Sequence, residues 1–233
     1  MGTTRFPNGV TNATADTCLG EYLDTDPTKV FVFYEDFINY TAAEWTITTT
    51  EGGSGDATEA LTTDANGTLL VTNDNADDDA DFFQRANLVL TLSATKKAWF
   101  KIRFKTSDAT QSDINCGLQV VDTTPLACTD GIWFRKDDGD TNIDFIVQKD
   151  DSTGKNTGAA IGTLANDTYI TLGWYYDGNG LAHAYVNDVF AKQLDASSTY
   201  FPNANLAVSF GIQNGTNAAK TLTVDYVFAA VER

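Results

Sequence analysis

Between Leu206 and Arg233, apolar side chains recur at every second position on both sides of an Asn214-Gly215 pair. Leu206, Val208, Phe210 and Ile212 share one parity, while Ala207, Ser209, Gly211 and Gln213 hold the other. After the turn signal, Leu222, Val224, Tyr226 and Phe228 repeat the pattern. Successive side chains of a strand point to opposite faces, so this alternation predicts strands with one face in a core. The same rhythm returns along most of the chain. That confines it to all-β architectures.

Read from the amino end, residues 1–28 lack sustained periodicity and contain Pro7, Gly9, Gly20 and Pro27. They read as an extended arm, of the kind that is either disordered or ordered by lying on a neighbour. The folded body, 29–233, is expected to be a single domain beginning with strands at 30–33 and 45–50. A polar loop over 51–66 precedes a strand at 68–72, and an acidic run over 73–81 precedes a strand centred on 88–92. Further strands are expected at 98–106, with Phe100, Ile102 and Phe104 inward, and at 117–121, 131–136 and 143–149. The polar segment 150–162 reads as a protruding loop. Strands at 169–176 and 181–186 flank Asp177-Gly178-Asn179-Gly180, a strong hairpin signal. A short strand at 190–194 completes about a dozen, the count of a sandwich or jelly roll.

Composition narrows the function. The net charge is −17, and it is carried unevenly: 26 Asp stand against 6 Glu in the 32 acidic residues. Asp favours turns and Glu favours helices, so the bias agrees with a loop-rich β protein. The charge would repel phosphate, which argues against nucleic acid as a partner. No apolar run reaches the roughly 20 residues of a membrane helix, and the first residues lack the apolar stretch of a signal peptide. Synthesis in a cytoplasm is the expectation. Cys18, Cys116 and Cys128 are odd in number, and reduced thiols are favoured over a Cys116–Cys128 bridge in that compartment.

Candidate sites are few. The acids Asp74, Asp77, Asp78, Asp79 and Asp81 invite a calcium reading, because that ion takes several oxygen ligands. In a calcium-loop register, however, Phe82 and Leu88 stand where Gly and Glu are required. A solvated loop is the plainer account, and no cofactor is assigned. Lys97, Trp99, Lys101, Arg103 and Lys105 share the parity opposite Phe100, Ile102 and Phe104. Such a row either pairs with acids on adjacent strands or meets an acidic partner. Trp99, Trp133 and Tyr175 fall opposite core positions and are expected to be exposed, so Trp99, Lys101, Arg103 and Trp133 form a candidate binding surface for sugars or a subunit. Trp45 and Trp174 read as core. Jelly-roll glycosidases flank the scissile bond with two carboxylates alternating on one strand, as in Glu-x-Asp-x-Glu. Glu35 and Asp36 are adjacent and face opposite ways, and His183 is a lone histidine without a nucleophile elbow. An enzyme is not the expectation.

Several segments resemble a group of small structural proteins of marine tailed phages. Thr4-Arg5-Phe6-Pro7-Asn8-Gly9-Val10, Leu19-Gly20 and Asp26-Pro27-Thr28-Lys29-Val30 are similar to their N-terminal arm. Tyr34-Glu35-Asp36-Phe37 with Trp45 is similar to their first body strands, and Asp130-Gly131-Ile132-Trp133-Phe134-Arg135-Lys136 to their central hairpin. Tyr176-Asp177-Gly178 and Lys220 to Tyr226 complete the resemblance. It implies a concanavalin/lectin-like jelly-roll β-sandwich with an irregular N-terminal arm. It further implies a capsid decoration (cement) protein on the outer surface of the virion, with the major capsid protein and itself, as a homotrimer, for partners. Arg5, Phe6, Pro7, Asn8, Leu19 and Tyr22 are then the expected capsid or oligomer contacts. The alternative is a lectin-like module that attaches to host glycans.

Overall fold

The computed structural model describes residues 16–20, 22, 26–53, 55–63, 66–150 and 154–233. Among these residues fifteen strands form two antiparallel sheets: β1 (Val30–Glu35), β2 (Trp45–Thr50), β3 (Thr58–Leu61), β4 (Leu69–Thr72), β5 (Ala80–Arg85), β6 (Ala98–Thr106), β7 (Ser112–Val120), β8 (Gly131–Lys136), β9 (Asn142–Lys149), β10 (Gly154–Thr163), β11 (Ile170–Tyr176), β12 (Leu181–Val186), β13 (Val189–Asp195), β14 (Leu206–Asn214) and β15 (Thr221–Glu232). The eight-stranded sheet runs β13-β12-β11-β6-β15-β4-β3, with β1 also paired to β15. The seven-stranded sheet runs β10-β9-β8-β7-β14-β5-β2. This is the all-β sandwich that the alternation predicts.

The core lies between the sheets. Phe100, Ile102 and Phe104 of β6 face Leu118, Ile132, Phe134 and Phe210 in one continuous buried cluster. Trp45 and Trp174 belong to it, as expected. Phe83 stacks on Phe210 with ring centroids 5.1 Å apart, and Trp45 meets Phe210 edge-on at the same distance. Each such side chain, fully withdrawn from water, contributes about 1.5–3 kcal/mol.

Several local expectations are corrected. The Asn214-Gly215 signal does not join paired strands, because β14 and β15 lie in opposite sheets. The Asn214 side chain instead donates to the carbonyls of Asp74 and Ala76, 2.7 and 2.9 Å away, tying the acidic loop to the crossing. In β15 the register shifts between Val224 and Tyr226. The extra residue, Asp225, reverses the parity: Leu222 and Val224 face the core, then Val227, Ala229 and Val231 do so. Tyr226 and Phe228 therefore point outward. A strand occupies 80–85, within and after the acidic run, whereas 88–92 contributes one isolated bridge, Leu90 to Leu206. The expected loops over 51–66 and 150–162 contain β3 and β10. No disulfide forms: Cys116 packs in the core, while Cys128 joins Trp133 and Ile146 in a separate cluster.

Candidate interaction surfaces

The outer face of the eight-stranded sheet brings together residues that the sequence treats separately. Cross-strand pairing aligns Ala230, Trp99, Tyr175 and His183 in one row. Trp99 stacks on Tyr175 at 5.6 Å, and Tyr175 on His183 at 5.7 Å. In the next row, Phe228 pairs with Lys101, Lys101 with Gly173, and Gly173 with Tyr185. Gly173 leaves a notch among large neighbours, and the arm fills it. A Cβ there would lie 2.5 Å from Cys18 Sγ. The Cys18 thiol points into the notch, 3.5 Å from the Phe100 carbonyl and 3.6 Å from that of Trp174. Burial pushes its pKa far above the usual thiol range.

Leu19 and Tyr22 extend the contact. The Tyr22 ring meets Trp99 edge-on at 5.3 Å and Phe228 at 5.5 Å. Trp99 is thus 2 % exposed and Tyr175 8 %. Alternation places both on the outer face correctly, but the arm covers that face, so the expectation of exposed rings is overturned. Leu19 and Tyr22, expected to meet a capsid or a neighbouring subunit, are engaged within the chain. Arg5, Phe6, Pro7 and Asn8 lie outside the described residues.

The cationic row is also engaged. Lys101 Nζ lies 2.7 Å from both carboxylate oxygens of Asp188. Arg103 pairs with Asp225, the bulge residue, and its guanidinium lies 4.0 Å from the Tyr169 ring centroid. Lys105 approaches the same ring and Lys97 that of Tyr175. Asp225 on the neighbouring strand β15, Asp188 in the turn between β12 and β13, and two aromatic faces meet these charges.

The second surface is the outer face of the seven-stranded sheet. Trp133, expected to be exposed there, is 1 % exposed. It crosses Gly117, where a Cβ would lie 2.4 Å from its own. A strap over 121–130, containing a 3-10 turn at Pro125–Ala127, closes over this region. The Pro125 carbonyl accepts from Asn115 Nδ2 at 2.7 Å and Gln119 Nε2 at 3.2 Å, and Arg135 donates to the Leu126 carbonyl at 3.0 Å. Beside the strap lies a shallow groove of about 200 Å³, lined by residues including Thr48, Thr50, Phe82, Thr124, Leu126 and Gln213. Each strand of this sheet carries at most one carboxylate: Asp81 on β5, Asp113 on β7 and Asp144 on β9. Glu-x-Asp-x-Glu alternation therefore has no counterpart on it. Glu35 ends β1 in the other sheet, accepting from the Phe37 amide at 3.1 Å.

The acidic run holds its loops together. Asp79 accepts from the Gly52 and Ala76 amides, Asp74 from Gly55, and Asp81 from the Thr49 hydroxyl. Burial raises the Asp81 pKa to about 6, with Glu59 and Glu51 adding to the rise. Among the described residues, no three His, Cys, Asp or Glu side chains are arranged to hold a metal ion.

No family model matches the chain, and no curated protein matches it. Solved structures do. An endo-1,3-beta-glucanase from Streptomyces sioyaensis aligns with TM-score 0.60 at 15 % identity, over 89 % of this chain and 98 % of that one. The Emp47p carbohydrate recognition domain aligns with TM-score 0.57 at 13 % identity, over 90 % and 99 %. A protein of unknown function from Shewanella oneidensis MR-1 gives 0.60 at 11 % identity, over 88 % and 87 %. These likenesses establish a concanavalin-like jelly-roll fold. Shared architecture does not carry chemistry with it.

Proposed function

We propose that this chain is a non-enzymatic structural protein that decorates the outer surface of a tailed-phage capsid and stabilises it, with the major capsid protein and further copies of itself as partners. The observation that carries this reading is the arm segment seated on the outer face of the eight-stranded sheet. An irregular, proline- and glycine-bearing segment is given a dedicated notch, which suits a chain whose work is contact. The resemblance of the arm and hairpin motifs to phage structural proteins supports the same reading. So does the distribution of carboxylates, which offers no alternating acids on one strand. A protein that binds only the assembled shell stabilises it by mass action, and many modest contacts suffice when they act together.

A second reading, a carbohydrate-binding module, is favoured by the groove beside Phe82 and Leu126, where threonine hydroxyls edge an apolar floor. At about 200 Å³ it is smaller than usual ligand pockets, which start near 300 Å³. One experiment separates the readings. Full-length protein and a variant lacking residues 1–28 are incubated with undecorated particles, and both are applied to a glycan array with and without chelator. Decoration predicts saturable particle binding that the truncation abolishes while the body stays folded. Glycan binding without particle binding would overturn it.

A further inference from the structure

Among the described residues, four of the eight exposed large hydrophobic side chains gather along one margin of the eight-stranded sheet: Val32, 40 % exposed, Tyr34, 57 %, Ile38, 63 %, and Leu61, 42 %. Val32 and Tyr34 occupy the outer face of β1, and Ile38 shares a shallow groove with Leu61. Among the described residues β1 pairs with β15 alone, so its other backbone edge has no described partner strand. An apolar edge strand of this kind is a template for an added segment of chain.

The arm supplies a candidate. It crosses the sheet from Cys18 over β11 to Tyr22 over β6 and β15, and the chain then enters β1. The described chain therefore starts near β11, separated from β1 by β6 and β15, with 15 residues preceding it. Extended, those residues reach about 50 Å, enough to cross to a neighbouring molecule. In an extended segment Phe6 and Val10 fall on one face. Arg5 is the segment's one cationic side chain, and Glu35 and Asp36 stand at the end of β1.

We infer that residues 1–15 of one copy dock on the β1 margin of a second copy, with Phe6 and Val10 against Val32, Tyr34 and Ile38, and Arg5 toward Glu35 and Asp36. Donor and acceptor are different surfaces, so the contact is head-to-tail, and copies related by a closing rotation form a ring. The inference rests on the reading of the arm as a quaternary element but names its receptor, which is this chain itself.

The test needs no particle, so its failure is distinguishable from failure of the capsid reading. Mass in solution is measured by light scattering for the full chain, for the chain lacking residues 1–15, and for full-length Tyr34→Glu and Ile38→Asp. A fluorescent peptide of residues 1–15 is titrated against the truncated protein, and against truncated protein carrying Ile38→Asp. Far-UV circular dichroism verifies folding throughout. The expected results are an oligomer for the full chain and a monomer for the truncation and both substitutions. The peptide should bind the truncated body, lose at least about tenfold in affinity with Ile38→Asp, and bind more weakly at high salt. A monomeric full chain overturns the inference, and peptide binding in that case would place the segment on its own molecule. An oligomer that survives truncation, or a peptide indifferent to Ile38→Asp, overturns it equally.

Discussion

At Gly173 a single missing methyl group decides whether the arm can lie on the sheet. A Cβ would press on Cys18 Sγ at 2.5 Å, and forcing an extra group into a packed site typically costs about 1–3 kcal/mol. Gly173→Ala is therefore expected to lift the arm and uncover Cys18. The check is thiol titration with a disulfide reagent in the native state. The parent protein should be slow at all three buried cysteines, and Gly173→Ala should release one fast thiol. Cys116 and Cys128 are buried in clusters separate from that of Cys18 and should stay protected. If no thiol becomes fast, the notch is not what seats the segment.

Elements that face solvent on both sides, or that change phase, are where the sequence is least legible. β3 reads T-E-A-L and β10 reads G-K-N-T-G-A-A-I-G-T. Both are edge strands with few buried positions, so neither shows the apolar alternation that marks β6 or β14. β5 was hidden by its acidic start, because Asp81 is held by a side-chain hydrogen bond to Thr49 rather than by solvent. The Asp225 bulge reversed the facing of the last strand, which alternation alone extrapolates wrongly. Trp99 and Trp133 illustrate the site-level limit: parity tells which face a side chain takes, and nothing about what later covers that face. The strap shows how such a cover is fastened. Asp130, at its end, accepts from the amides of Asp150, Asn203 and Ala204 at 3.3–3.4 Å. Removing a buried acceptor costs about 1–3 kcal/mol. Asp130→Ala should accelerate hydrogen exchange at those three amides by at least about tenfold, while β6 and β15 amides stay protected. Uniform acceleration across the molecule would mean that Asp130 supports the global fold instead.

Across the whole molecule, a net charge of −17 makes acid–acid proximity a recurrent tension, and at Asp81 it adds to burial. There Glu59 and Glu51 add to the burial that holds the folded-state pKa at about 6, against about 3.9 for an unfolded Asp. A raised carboxyl pKa favours folding at low pH. Its contribution is full below about 4 and is lost as pH climbs through about 6. Asp81→Asn keeps an acceptor for Thr49 and removes the charge. It should be more stable than the parent by about 1 kcal/mol at pH 8, after allowance for solvent screening, and equal to it near pH 3.5. Urea unfolding at the two pH values reads the difference, and a gap that persists at pH 3.5 would assign the effect to packing.

The fold class, by contrast, was readable throughout, because the paired central strands bury one face each and must alternate to do so. One pairing has a mechanical consequence. Val30 lies opposite Glu232, and the Arg233 amide donates to the Lys29 carbonyl. Tension applied between the arm and the final residue therefore opens this ladder from its end, one rung at a time, rather than shearing all its rungs together. A pull directed through the arm and the opposite flank of the sandwich meets no such zipper.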